Sequence, residues 1–351
     1  PDTGGCSAEV ELGPLPEHPI ASSTLAEQER IVAKLEELFS ELDAGVAALK
    51  HAQIRLSRYR RALLHAAVTG ELTRDWRRTS VQPVHQLLQK ANSSFKARSE
   101  PKFQPPWELP ASWRWARFDG VFTCRLGKML DKQKNNGRPH PYLRNASVRW
   151  GEFDLSNLES IRVRDEELDD VSIQAGDLII CEGGEPGRCA VWRSDEPIVI
   201  QKALHRARPS IDAVSQFFAY HLEYDCLSSR VDQLFTGTTI KHLTGRKLAE
   251  HLVALPPVDE QKAILDELET RLLNLDTLKF TIEGNLQRAE RLRQSILDGA
   301  FRGELVPQDP ADEPAEAVLA RLRESSAAKA GQKMSAKRSY VRKTKTAAGG
   351  A

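Results

Sequence analysis

The sequence predicts an α+β protein: one globular α/β domain flanked by two long repeated helices that pair as an antiparallel coiled coil. Three observations carry this. Glu27–Leu72 recurs at Glu260–Leu305, offset by 233 positions without a gap. Within each copy a leucine-rich column repeats every seven residues. Strand-like runs occur only in the 150 or so residues between the copies, which sets the order helix, domain, helix.

In the first copy the column is Leu35, Leu42, Leu49, Leu56 and Leu63, and in the second Leu268, Leu275, Ile282, Ala289 and Ile296. Read as heptad a positions, they leave mixed residues at d: Leu38, Gly45, Ala52, Tyr59 and Ala66, then Arg271, Leu278, Asn285, Leu292 and Gly299. One strong and one weak register predict a narrow seam against a single partner helix. Neither copy holds a proline between Ala26 and Leu72 or between Asp259 and Val306. At 1.5 Å per residue, roughly 43 residues make a rod of about 64 Å, and the expected stops are Gly70 and Gly303. The copies also share polar residues, among them Glu27/Glu260, Asp43/Asp276 and Arg60/Arg293. A generic helical hairpin does not require that, so the repeat suggests a surface used twice.

With 351 residues, 40% apolar and 28% charged, the chain has room for two or three domains. No run approaches the ~20 apolar residues of a membrane span, and no basic-then-apolar leader opens the sequence, so a cytoplasmic, membrane-free protein is expected. Five cysteines (6, 124, 181, 189, 226) form no C-x-x-C pair and read as small reduced core residues. Charge is sorted along the chain. Positions 109–150 carry nine Lys or Arg against two acids, and 151–200 carry thirteen acids against four bases. One face for a polyanion and another that repels it would follow. The acidic turn Asp165–Asp170 reads as solvated, and the basic tail after Ser325 as disordered.

The expected parts are an irregular segment 1–24, a first long helix 25–75, a linker 76–106 with a short helix at Val84–Lys90, the globular domain 107–258, a second long helix 259–306 and a C-terminal segment 307–351. Within the domain, strands are expected at Tyr142–Val148, Ile161–Val163, Asp177–Cys181, Cys189–Trp192 and Ile198–Ile200. An aromatic helix is expected at Ser215–Leu227, with His221 as polar filler at its edge.

Three loops could recognise a ligand. The first holds Arg125, Lys128, Lys132, Lys134, Asn135, Asn136, Arg138, Tyr142 and Arg144, where Asn and Arg suit base edges and Lys suits phosphates. The second, Cys181–Arg188, offers Gly183 and Gly184 for close backbone approach, though it is no nucleotide fingerprint and a tight hairpin explains it as well. The third holds Thr236, Gly237, Thr238, Thr239, Lys241 and His242, a set of hydroxyls, glycine and lysine suited to phosphate. No glycine-rich S-adenosylmethionine motif and no clustered nuclease acids with a lysine are present.

In this order, Ala26–Leu38, Leu109-Pro110-Ala111-Ser112-Trp113, Tyr142–Ala146, Gly176–Ile180 with its following glycines, the Thr236–Leu243 loop and Leu255–Gln261 resemble the specificity subunit of type I restriction-modification systems. They look like a half-subunit with one target recognition domain. The resemblance implies a domain at 107–258 that reads one half of a split double-stranded DNA target. It implies helices that set the gap between half-sites and dock the modification (methyltransferase) subunits, with restriction subunits as further partners. Adenine methylation and cleavage would be directed by this chain and performed by those partners, and the chain itself would be no enzyme. S-adenosylmethionine, ATP and Mg are implied on the partners, no cofactor here. Family members carry two recognition domains and this chain shows one. Either the other is missing from this sequence, or a second copy of the chain restores it. The alternative is a non-enzymatic coiled-coil adapter whose central domain binds protein.

Overall fold

The computed structural model describes residues 23–80, 105–131, 133, 135–237, 241–314, 316–321 and 323–325. Val84–Lys90, Lys132, Lys134, Thr238, Thr239, Cys6 and the tail beyond 325 lie outside the described residues. In chain order the elements are α1 (Leu25–Thr69), α2 (Arg74–Thr79), β1 (Arg114–Arg117), α3 (Phe118–Val121), β2 (Phe122–Leu126), β3 (Arg138–Leu143) and β4 (Glu159–Val163). They continue with α4 (Leu168–Val171), β5 (Ser172–Ile173), β6 (Leu178–Cys181), β7 (Cys189–Val191), β8 (Ile198–Ile200) and β9 (Leu204–Pro209). The last are α5 (Ser215–Leu227), α6 (Gly245–Glu250), β10 (Leu252–Leu255) and α7 (Val258–Phe301). The chain divides into two compact units, residues 53–280 and residues 1–52 with 281–351.

Both long helices end at the expected glycines, because Gly70 and Gly303 take φ of +81° and +71°, the left-handed cap conformation. The leucine column is at least half-buried throughout. Its companion column in the second helix is corrected by the structure. Leu278 and Leu292, three residues past a column member, are 52% and 49% exposed, whereas Leu272, Leu286, Arg293 and Ala300, four residues past, turn inward. A spacing of four followed by three makes the leucine column d and its companion a, because only the d-to-a step spans four residues.

The shared polar positions have a physical explanation. In the smaller unit Arg293 pairs with Asp43 and lies 4.5 Å over the Phe39 ring. In the larger unit Arg60 stands 3.7 Å from Asp276 and 2.9 Å from Glu223. Each copy's arginine meets the other copy's aspartate, as an antiparallel pairing of duplicated helices requires. The smaller unit adds Arg30 to Asp312 at 2.6 Å and Gln308 to Glu27.

The larger unit holds the β1–β10 ribbon and two four-stranded sheets, ordered β2-β9-β6-β7 and β4-β3-β8-β5, and α5 packs on β6, β7 and β10. All neighbours are antiparallel except β3 and β8. The main core joins the domain to its helices: Trp113, Phe118, Phe122, Phe217 and Phe218 pack with Leu64 and Val68 of α1 and with Ile264 and Leu268 of α7, all essentially buried. The rings meet edge to face, Phe122 on Phe218 at 5.1 Å and Trp113 on Phe217 at 6.3 Å. Helix α5 is buried on nearly every side, its polar His221, Glu223 and Asp225 included.

Repeat copies differ in cover. Ile264, Leu265 and Leu268 lie in that core, while their counterparts Ile31, Val32 and Leu35 line an open groove of about 970 Å³ in the smaller unit with Leu297 and Phe301. Val32 is 52% and Phe301 76% exposed.

His221 is not edge filler. It is fully buried, its Nε2 accepts the Ala254 backbone N–H at 3.0 Å, and its Nδ1–H therefore donates to Asp225 Oδ2 at 2.9 Å. His251 Nε2–H donates to the same oxygen at 2.6 Å, and Arg230 pairs with Oδ1. The three side chains could in principle ligate a metal. Here two N–H groups converge on one carboxylate oxygen and an arginine holds the other, which is hydrogen-bond geometry.

Among the described residues the cysteines are free, Cys181 and Cys189 buried, Cys124 and Cys226 half-buried. Burial pushes the Cys124 and Cys226 thiols up to about 12 and Cys181 up to about 11, so none is a thiolate near neutrality.

Candidate nucleic-acid interface

The Gln201–Leu204 turn ties the first two loops and the end of β3 together. Gln201 N–H donates to Leu143 O at 2.9 Å, Lys202 N–H to Lys128 O at 2.8 Å and Lys128 N–H to Ile200 O at 2.8 Å, while Ala203 O accepts Glu182 N–H at 2.9 Å. The third loop docks on the second: Leu243 N–H donates to Glu182 O at 2.7 Å, and Gly183 lies against the His242 ring. Thr236 and His242 exchange backbone bonds of 2.9 Å, closing that loop at its base. His205 Nε2–H, buried in β9, donates to Leu243 O at 2.8 Å, and burial depresses its basicity, so it anchors as a neutral ring.

Gly127 makes this possible, since a Cβ there would stand 2.1 Å from Ile200 O. Gly127→Ala must push the first loop off the turn. We expect a stability loss of roughly 1–3 kcal/mol or more in urea melts.

Three residues that sequence reasoning did not single out as site residues complete the cluster. Asn145 Nδ2 donates to Gly183 O at 3.0 Å, Arg188 donates to Asn145 O at 2.9 Å and to Glu185 at 2.8 Å, and Lys202 is exposed without an ion pair among the described residues. The sequence placed Asn145 in the Tyr142–Ala146 motif and Arg188 at the end of the second loop, but nothing local showed that the two would bond each other.

The side chains expected to meet DNA are not equally free. Arg138, at the start of β3, and Asn136 are exposed, and Lys241 lies 5.5 Å over the Phe235 ring with its charge unpaired among the described residues. Asn135 spends its amide on Met129 O at 2.9 Å and builds the loop. Tyr142 belongs to the core, 3% exposed, its hydroxyl donating to Glu159 at 2.9 Å. Arg125 pairs with Asp170, Lys128 with Glu167 at 2.7 Å, and Arg144 with Glu159. With Arg149 beside Asp154, four cations of the basic segment are thus paired with acids of the segment that follows it. Nor is Asp165–Asp170 a merely solvated turn. Hydrogen bonds from Arg164 and Lys128 hold the Glu167 carboxyl down to about 2.

Residues 110–288 match the family described as type I restriction modification DNA specificity domain, half of the chain, and the chain belongs to that family. It is 28% identical over 330 residues to the type I restriction enzyme EcoKI specificity subunit of Escherichia coli K12, covering 90% of this chain and 65% of that protein. It is 26% identical over 330 residues to the EcoBI specificity subunit of Escherichia coli, covering 90% and 66%. The chain thus spans just under two thirds of the length of these relatives. A solved chain of a type I R-M system shares the fold, with a TM-score of 0.55 at 21% identity, over 80% of this chain and 60% of that one. No helix among the described residues is long and apolar enough to cross a membrane.

Proposed function

We propose that this chain reads one half of a bipartite double-stranded DNA target and, as the specificity subunit of a type I restriction-modification complex, directs adenine methylation and restriction by partner subunits. The observation that carries the reading is the clustering of three loops, the first two on the Gln201–Leu204 turn and the third on the second, with Lys202, Lys241 and Arg138 left unpaired among the described residues. Lysines there suit phosphate oxygens, and an exposed arginine at a strand start suits a guanine edge. Family membership supports the same reading. The repeated helices serve as the spacer between half-sites and dock the modification subunits, in the cytoplasm. S-adenosylmethionine, ATP and Mg are assigned to the partners. The groove of the smaller unit, whose counterpart is covered by the domain, suits a second recognition domain from another copy of the chain.

Filter binding with the modification subunits present tests the assignment. Arg138→Ala is expected to lose roughly 1–3 kcal/mol on the cognate duplex and to relax the preference at one base pair. Lys241→Ala is expected to weaken binding to all duplexes alike and to flatten the salt dependence by about 0.9 in log–log slope. Equal losses on cognate and scrambled DNA for Arg138→Ala would remove that residue from base reading. Retention without sequence preference in the wild type would favour the protein-binding adapter.

A further inference from the structure

We infer that Glu159, Glu167 and Asp170 are selectivity determinants that occupy the cations of the DNA face and hold back sequence-independent binding. The inference rests on the DNA-reading proposal and goes beyond it by assigning a role to the acidic segment.

The basis is the pairing itself. Of the cations that flank the loop cluster, Lys128 bonds the Gln201–Leu204 turn through its backbone, Arg144 directly follows Leu143, whose carbonyl accepts Gln201 N–H, and Arg125 sits three residues before Lys128 at the end of β2. Each has a carboxylate from the 159–170 stretch: Lys128 with Glu167 at 2.7 Å, Arg144 with Glu159, Arg125 with Asp170. These carboxylates are themselves held in place. Glu159 also accepts the Tyr142 hydroxyl at 2.9 Å, and Glu167 also accepts from Arg164 at 3.1 Å. A carboxylate fixed on a lysine or arginine presents the ligand that a phosphate oxygen would supply. A duplex approaching by charge alone must displace these carboxylates to reach the three cations, and sequence-independent binding is driven by such phosphate contacts. Lys202 and Lys241 are left for the first contact.

The test measures binding of the full chain to a random-sequence duplex across a salt series. The variant Glu159→Gln/Glu167→Gln/Asp170→Asn keeps side-chain shape, and the amide oxygen at 159 still accepts from Tyr142. A control, Glu152→Gln/Asp195→Asn/Glu196→Gln, removes the same charge from exposed acids that hold no ion pair among the described residues. With three cations released, the slope of log affinity against log salt is expected to steepen by roughly 2–3, about 0.9 per cation. Affinity at low salt should rise on the order of tenfold, and the control should shift neither quantity comparably. An unchanged slope in the triple variant, or an equal change in the control, overturns the inference while leaving the DNA-reading proposal standing. No salt-dependent binding by wild type or variants overturns both. Each single substitution should move the slope in the same direction, so loss of fold in the triple variant, checked by circular dichroism, does not decide the matter.

Discussion

Asp225→Ala is expected to cost the recognition domain about 3–5 kcal/mol, the range for breaking a buried ion pair by removing one partner. Asp225 is fully buried and is the common acceptor for His221, His251 and Arg230, so its loss leaves a guanidinium and two imidazole N–H groups without a partner in the core. Burial alone would raise this carboxyl, but His221 and His251 outweigh it and hold it well below the usual carboxylate range. His221 behaves oppositely. Burial depresses its basicity more than Asp225 restores it, and Ala254 N–H already occupies the Nε2 lone pair. The folded state therefore refuses a proton that the unfolded chain accepts. Stability from His221 is present above the ordinary histidine value of about 6.5 and falls as pH drops below it. The Asp225 contribution is lost only at lower pH, as the carboxyl is protonated. Urea melts at pH 7.5, 5.5 and 4 should show a declining midpoint for the wild type. A midpoint for Asp225→Ala equal to the wild type at pH 7.5 would contradict the network's structural role.

The second large effect is expected at Glu260, where α7 enters the domain. Its carboxylate is 1% exposed, with Oε1 accepting Thr73 Oγ–H at 2.7 Å and Arg77, and Oε2 accepting Trp113 Nε1–H at 2.8 Å. One side chain thus fastens the segment after α1, the start of α7 and the first strand region of the domain. Glu260→Ala should destabilise by about 3–5 kcal/mol. Glu260→Gln should recover part of this, because its amide oxygen keeps one of the two acceptor positions while losing the charge opposite Arg77. The repeat supplies an internal comparison. Glu27 is the matching residue, yet its side-chain partner among the described residues is the neutral Gln308, so Glu27→Ala should cost clearly less. Melting midpoints of the two alanine variants in the same background check this directly, and equal losses would contradict it.

Much of the helical architecture was legible because duplication writes its signal twice. The gap-free repeat, the seven-residue column and the two glycine stops each follow from local chemistry. The register error arose because a column alone does not say whether its companion lies three or four residues on. That is set by the partner helix. Among strands, Ile198–Ile200 was read to the residue and the runs at 177–181 and 189–192 nearly so, since short apolar runs between turn residues are self-announcing. Tyr142–Val148 was placed too late. The strand is Arg138–Leu143, and its Pro139 and Pro141 argue against a strand inside a sheet. They are tolerated because β8 pairs only with Tyr142 and Leu143, so residues 138–141 form an edge. Strand β9 was missed because His205, Arg206 and Arg208 look solvated. The first two are buried and all three find distant acceptors: Leu243 O for His205, Asp169 O and Ser172 O for Arg206, and Asp177 for Arg208.

The interface shows the same limit. Local composition located the three loops, but which cation pairs with which acid depends on contacts tens of residues apart, such as Lys128 with Glu167 and Arg125 with Asp170. Counting charges by segment therefore located the charges but not which of them pair. His221 was misplaced for a related reason: its partner Ala254, and the His251 that shares Asp225 with it, come from a different part of the chain.

The claim that this polypeptide chooses the DNA sequence on which its partners act is tested most directly by mapping methylated adenines in cells carrying the complete system, with and without this chain. The account predicts methylation confined to one split sequence when the chain is present, and none at that sequence when it is removed. An identical methylation pattern in both cells would contradict it.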